Sequence, residues 1–427
     1  MLQSSIFMKV FKFGGASIST AERIRNAGNI LDRYHSDQLV VVISAMGKTT
    51  NALEQVVEAF FAGNTEQALA LFKTIKSDHI SLFKELDDNG KVNDEVLNDF
   101  FTEVEWLLHD KPVQSYDYYY DQIVCIGEIL SSFIVSHYLN QNGVKNKWID
   151  VRDIIRTDDN FRDAKIDWTI TSSKVNETIK PLFQQTDIII TQGFIGATDE
   201  NESTTLGREG SDYTAAVFAN LLDAECQTIW KDVKGVMNAD PKQYDKAEWI
   251  KELNYREVIE MAYYGAQVIH PKTIKPLQNK GIPLFVRSFI DHESEGTIIH
   301  DKKIDTLPPI IVYKHDQVLL QLNSKDFSFV GEGLTAELYR IFEKLKFRPN
   351  LTQNAAISLL CVVDNNSQKI EAFSHAASSY FDVTVRKDLT LLTIRHCDDD
   401  LLSTLSKGRK IFLKQETPET VQVLLEN

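Results

Sequence analysis

The chain is poor in cysteine, in positive charge and in long apolar runs, and each shortage excludes a class of protein. Its 427 residues carry four cysteines, Cys125, Cys226, Cys361 and Cys397. They are scattered, without the paired spacing of a zinc site or a disulfide framework, which fits a reducing compartment. Lysine and arginine total 46 against 61 aspartates and glutamates, a net charge of -15. That balance argues against nucleic acid or an anionic membrane surface as the main partner. No apolar run approaches the ~20 residues that span a bilayer, and Met1–Phe7 lacks the basic and long apolar segments of a leader. The expectation is a cytoplasmic protein, with Met1 or Met8 as its first residue. Its length implies two or three domains.

What the sequence does have is a series of glycine turns at the ends of apolar strands. Lys9 to Phe13 reads as a strand, Gly14-Gly15-Ala16-Ser17 as a turn, and Ser19-x-x-Glu22 as a capping box opening a helix. Leu39 to Ser44 is a strand buried on both faces, leading through Gly47-Lys48-Thr49-Thr50-Asn51 into a second helix. Such loops lie at the edge of an open α/β sheet where ligands bind. After the run Ile188-Ile189-Ile190 comes Thr204 to Asp212, Thr-Thr-Leu-Gly-Arg-Glu-Gly-Ser-Asp. A helix starting at Ser211 or Asp212 aims free N–H groups at an anion. Arg208 brings a fork suited to a carboxylate and Asp212 an acid at a helix start, together suggesting a ligand with both signs of charge.

Glu128 falls in the apolar helix pattern Gln122 to Asn140, where an uncompensated carboxylate is costly. It needs a cationic partner, either a structural lysine or arginine or the ammonium of a bound amino acid. Gln227 to Lys231 is a further strand, running into Asp232, Lys234-Gly235 and Asp240-Pro241. His270, before Pro271, is assigned no chemistry. Phe60 to Lys111 reads as a helical lid or flank, Ile282 to Phe289 as the close of the sheet, and Gly296 to Pro309 as a linker. Beyond it the order is βαββαβ through Arg386, and Leu389 begins a second, compressed unit.

Taken in order, these motifs resemble those of the aspartate kinases, members of the amino acid kinase family, from about Met8 to the C-terminus. The resemblance implies a three-layer αβα sandwich with a mainly parallel sheet plus a C-terminal ferredoxin-like ACT regulatory region. The divisions are 8–296 for the catalytic domain, 310–388 for the first ACT-like unit and 389–427 for the compressed second. It implies transfer of the γ-phosphoryl group of ATP, with Mg²⁺, to the side-chain carboxylate of L-aspartate, the first step toward lysine, threonine and methionine. Lys12, Asp212, Gly14 and Gly15 take the catalytic positions, and Thr50, Glu128, Arg208, Gly210 and Ser211 the substrate positions. Lys12, Gly15, Ser17, Lys231, Asp232, Met237, Lys242, Gln267 and Val268 take the nucleotide side. No residue is assigned as a metal ligand.

A lysine or threonine effector and a homodimer or higher assembly are further implications. Ala16, where a hydroxyl residue is usual, Glu209, where glycine is frequent, and the shortened second ACT-like unit depart from the common pattern. The competing readings are another amino acid kinase with a glutamate-type acceptor, and a catalytically dead amino-acid-binding regulator.

Overall fold

The computed structural model describes residues 8–34, 36–87, 93–326, 329–397 and 399–427. Met1–Phe7 lies outside the described residues. The chain divides into two compact units, and the division is not at one point. The first comprises residues up to Val236, Trp249–Ile259 and Val268–Ile304; the second comprises Met237–Glu248, Glu260–Gln267 and Asp305–Asn427.

The first unit is built on an eight-stranded sheet. Strand Met8–Phe13 lies parallel between Gln38–Ile43 and Cys226–Lys231, flanked further out by Ile188–Gln192 and Leu284–Ser288. The inner strands are apolar on both faces, so each face must be covered. On one face, Phe11, Phe13, Val41, Ile43 and Ile190 pack in one core with residues of helices Ala21–Asp32, Thr49–Phe61 and Tyr116–Gln141. Helix Gly210–Leu221 packs against strands Met8–Phe13 and Gln38–Ile43, and against helix Pro271–Gln278. This is the expected αβα layering.

Helices Thr65–Glu85 and Asn98–His109 bury Phe72, Phe83, Phe101 and Leu108 in the same core. They are therefore a packed flank and not a lid. Helix Tyr116–Gln141 is long and apolar enough to cross a membrane, contrary to the reading of the sequence, but its apolar window is 78% buried inside the fold. It is the central core helix.

Three local readings are corrected. The first helix is capped by Thr20, which accepts from the Arg23 N–H, while the Ser19 hydroxyl donates to the Ala16 carbonyl. The segment read as a linker contains strand Thr297–His300, antiparallel to Leu284–Ser288 and parallel to strand Glu252–Asn254. The sheet thus does not close at Phe289.

The second unit carries a six-stranded antiparallel sheet. Two 15-residue strands, Ile310–Ser324 and Phe381–Arg395, pair along their length with register shifts between Lys314 and Leu319. Their Gln317–Ser324 and Phe381–Arg386 halves join strands Pro349–Asn354 and Ser358–Asp364 and helices Glu332–Lys344 and Ser367–Ala377 in the ferredoxin-like βαββαβ order. Phe342, Phe373 and Leu320 fill the core beneath those helices. The halves Ile310–Lys314 and Leu389–Arg395 instead join strands Ile411–Glu416 and Thr420–Glu426, with the short helix Asp399–Leu405. The shortened unit is completed by a strand from 75 residues or more earlier in the chain, which spacing within the tail does not reveal.

Candidate active site

Four parallel strands end at one edge, and their turns converge. Gly15 is where two of them touch: a Cβ there would sit 2.4 Å from the Ala45 carbonyl oxygen, and the Gly15 carbonyl accepts from the Gly47 N–H at 2.9 Å. Any side chain would push these turns apart. Gly193 serves the same end at the third strand, since a Cβ there would lie 2.5 Å from Ser211 Cβ, at the start of helix Gly210–Leu221. That helix begins one residue before the position read from the sequence. Between these turns lies a cleft of about 460 Å³ lined by Lys12, Gly15, Thr50, Glu128, Arg208, Gly210, Ser211 and Asp212 among others.

At its floor, Lys12 Nζ lies 2.7 Å from Asp212 Oδ1, and both side chains are nearly buried. Burial opposes ionisation of Asp212, but Lys12 and then Lys231 more than offset it and hold its pKa below the ordinary carboxylate value. Asp212 is thus a fixed negative charge that locates the Lys12 ammonium.

Glu128 behaves differently. It is 4% exposed, and burial pushes its pKa up to about 8, against the opposing Ala45 N–H bond and the Lys12 charge. Its Oε2 has no hydrogen-bond partner. Among the described residues no lysine or arginine is salt-bridged to it, so the cation the sequence calls for is not supplied there. A buried acceptor left open inside a cleft is a receptor for an incoming donor.

Arg208 is exposed at the cleft wall and has no ion-pair partner among the described residues. Its neighbour Glu209 does not pair with it. Glu209 takes a left-handed conformation, φ 55°, and its Oε2 accepts from the His270 N–H at 2.8 Å. His270 caps helix Pro271–Gln278, its Nδ1 accepting from the Lys272 N–H. A structural role for His270 follows.

The other predicted residues fall as follows. Gly14 precedes the Gly15 contact and has space around it, its nearest neighbour for an added Cβ being Lys12 Nζ at 3.5 Å. Ser17 is buried, and its hydroxyl donates to the Trp230 carbonyl. Lys231 Nζ donates to the Val268 carbonyl at 2.9 Å, and Asp232 pairs with Arg23. Met237, Lys242 and Gln267 belong to the second compact unit.

Sequence reasoning missed Asp121, Tyr120, Arg162 and Phe194. Tyr120, Arg162 and Phe194 line the cleft. Asp121 is fully buried and accepts from the Arg162 N–H, the Thr205 N–H and the Thr205 hydroxyl at 2.7–2.9 Å. It therefore ties the Arg162 loop to the strand that leads into Arg208. Burial raises its pKa to about 6. A signal was present: Asp121 stands two turns before Glu128 on the same helical face.

The sequence matches the amino acid kinase family over residues 8–288. The chain belongs to that family. Within it, the lysine-sensitive aspartokinase 3 of Escherichia coli K12 is 28% identical over 413 residues, covering 94% of this chain and 90% of that protein. Aspartokinase 1 of Arabidopsis thaliana is 31% identical, covering 83% of this chain and 63% of its own length. The crystal structure of E. coli aspartokinase III with aspartate and ADP superimposes with a TM-score of 0.83 at 26% identity, covering 98% of this chain and 96% of that one. The same protein with lysine and aspartate gives 0.79 at 25% identity over the same shares.

Proposed function

We propose that this chain is an aspartate kinase, which transfers the γ-phosphoryl group of ATP to the side-chain carboxylate of L-aspartate to give 4-phospho-L-aspartate. The observation that carries the reading is one cleft holding a Lys12–Asp212 pair, an open buried carboxyl at Glu128 and a free guanidinium at Arg208. These are receptors for a phosphate, an ammonium and a carboxylate. The relatives named as aspartokinases along this chain's length support it.

The acceptor carboxylate, with a reference pKa of about 3.9, is already ionised at neutral pH, so no general base is needed. The barrier is repulsion between an anion and a polyanion, and positioned positive charge lowers it. Asp212 orients Lys12, which faces the transferring phosphate with the Gly14–Gly15 turn. Arg208 grips the α-carboxylate, Glu128 takes the ammonium, and Thr50, Gly210 and Ser211 complete the acceptor side. Ser17, Lys231, Asp232 and Val268 serve the nucleotide side.

Mg²⁺, when bound with the nucleotide, neutralises phosphate charge. Among the described residues no three potential metal ligands cluster. The catalytic domain is taken as 8–296, and the tail as two ACT-like units, 310–388 and 389–427, the second sharing strand Ile310–Lys314. L-lysine is the effector favoured for that tail, given the lysine-sensitive relative, and a cytoplasmic homodimer or higher assembly is the expected form.

The test is trapping of acyl phosphates with hydroxylamine in Mg-ATP across a panel of acids. Hydroxamate should form with L-aspartate; formation with glutamate alone would overturn the substrate, and formation with none would favour the dead regulator. A narrower prediction concerns Arg208→Ala. Loss of a charged hydrogen-bond partner costs about 1.5–3 kcal/mol, so KM for aspartate should rise about 10- to 100-fold with kcat changed much less. Steady-state kinetics in which KM stays put would remove Arg208 from the acceptor site.

A further inference from the structure

A second receptor lies apart from the cleft and shares none of its lining residues. Trp230 and Arg287 are register partners on adjacent parallel strands, and both line a cavity of about 460 Å³ with Tyr34, Ile30 and His292. Trp230 is 1% exposed, yet its Nε1 has no acceptor among the described residues. Arg287 Nε is likewise buried without one, as is Nδ1 of His292. Indole and guanidinium N–H groups only donate, so both call for an oxygen that the described residues do not supply. Leaving such a donor dry is unfavourable.

Arg287 donates to the Tyr34 hydroxyl at 3.1 Å and has no carboxylate partner among the described residues, in a chain of net charge -15. One wall is aromatic, Tyr34 and Trp230 both packing on Phe11, the Tyr34 ring edge-on at 4.8 Å and Trp230 at 5.7 Å, while Arg33, Ser294 and His292 make the remainder polar. A second cavity of about 290 Å³ shares Tyr34 and Arg287 with the first, which gives an apolar body room to extend. Glu293, ion-paired with Arg33, and Glu295 also line the first cavity and would repel a polyanion.

We propose that Arg287, Trp230 and His292 form a binding site for a small monocarboxylate with an apolar body, distinct from the aspartate cleft. Its oxygens would accept from Arg287 Nε and Trp230 Nε1, while its body lies against Tyr34 and Ile30. The site is positioned to influence turnover, because the Trp230 carbonyl accepts from Ser17 in the phosphate turn and the next residue, Lys231, acts on Asp212.

The test is calorimetric titration of the full chain, saturated with L-aspartate, with 3-phenylpropionate as probe. Wild type should bind it in the millimolar range or tighter, Arg287→Met should weaken binding at least tenfold, and Trp230→Phe several-fold. Inorganic phosphate should give no comparable binding. Absence of binding by wild type, equal binding by Arg287→Met, equally tight phosphate binding, or binding that disappears when aspartate is present would each overturn the proposal. Should Arg287→Met fail to fold by circular dichroism, Arg287→Lys replaces it. That variant keeps the charge but loses the Nε donor and should bind several-fold more weakly; undiminished binding would again overturn the site.

Discussion

Lys12→Ala should lower kcat by about a thousandfold or more, the scale on which removal of a preorganised charge at a transferring group is felt. The reason is geometric. Lys12 is the cation on the cleft floor, located by a 2.7 Å contact with Asp212 and sharing the cleft with the Gly15 turn. Its loss also leaves Asp212 buried with only the more distant help of Lys231. A buried pair broken on one side is destabilised, typically by about 3–5 kcal/mol. The two consequences separate in the double variant Lys12→Ala/Asp212→Asn, which should regain stability without regaining turnover. Kinetics per folded molecule, with unfolding measured by denaturant, check both. Near-normal kcat in the folded single variant would remove Lys12 from the chemistry.

Glu128→Gln should make the protein more stable and a poorer enzyme. In the native state burial holds this carboxyl near a pKa of about 8, from an ordinary value of 4.5. The unfolded chain releases that proton first, so wild-type stability from this group falls as pH rises between about 4.5 and 8 and is level above that range. At pH 7 the penalty is about 3 kcal/mol, which the neutral glutamine does not incur. Denaturant unfolding should show the variant gaining over wild type across this range.

Function moves the other way, because an ammonium can be received only by the ionised acid. For wild type, kcat/KM for aspartate should rise up to about tenfold per pH unit toward pH 8 and then level. Glu128→Gln should lose this limb and start at least tenfold lower. A wild-type profile that is flat between pH 6 and 8 would mean Glu128 is already ionised before substrate arrives.

Much of this site was legible in the sequence because its chemistry sits at strand ends. A glycine after an apolar run, as at Gly15, marks a backbone approach that no other residue permits, and such turns order the site along the chain. The tail's βαββαβ order was likewise readable from alternating periodicities. What could not be read depends on partners distant in sequence. Asp121 joins the Arg162 and Thr205 backbones, 41 and 84 residues away. The strand Thr297–His300 lies in a polar stretch and is defined by its pairing on both sides, with Leu284–Ser288 and with Glu252–Asn254, a segment some 45 residues earlier. Glu209 shows a local rule overridden: a left-handed position suited to glycine is held by an acid because its carboxylate is bound to the His270 N–H.

The most direct measurement is the position of capture when L-aspartate, Mg-ATP and hydroxylamine react on this protein, read by NMR of the isolated hydroxamate. With Arg208 gripping the α-carboxylate and Lys12 facing the phosphate, the product is the side-chain hydroxamate. Capture at the α-carboxyl would mean that aspartate lies in the cleft the other way round, and would contradict the account.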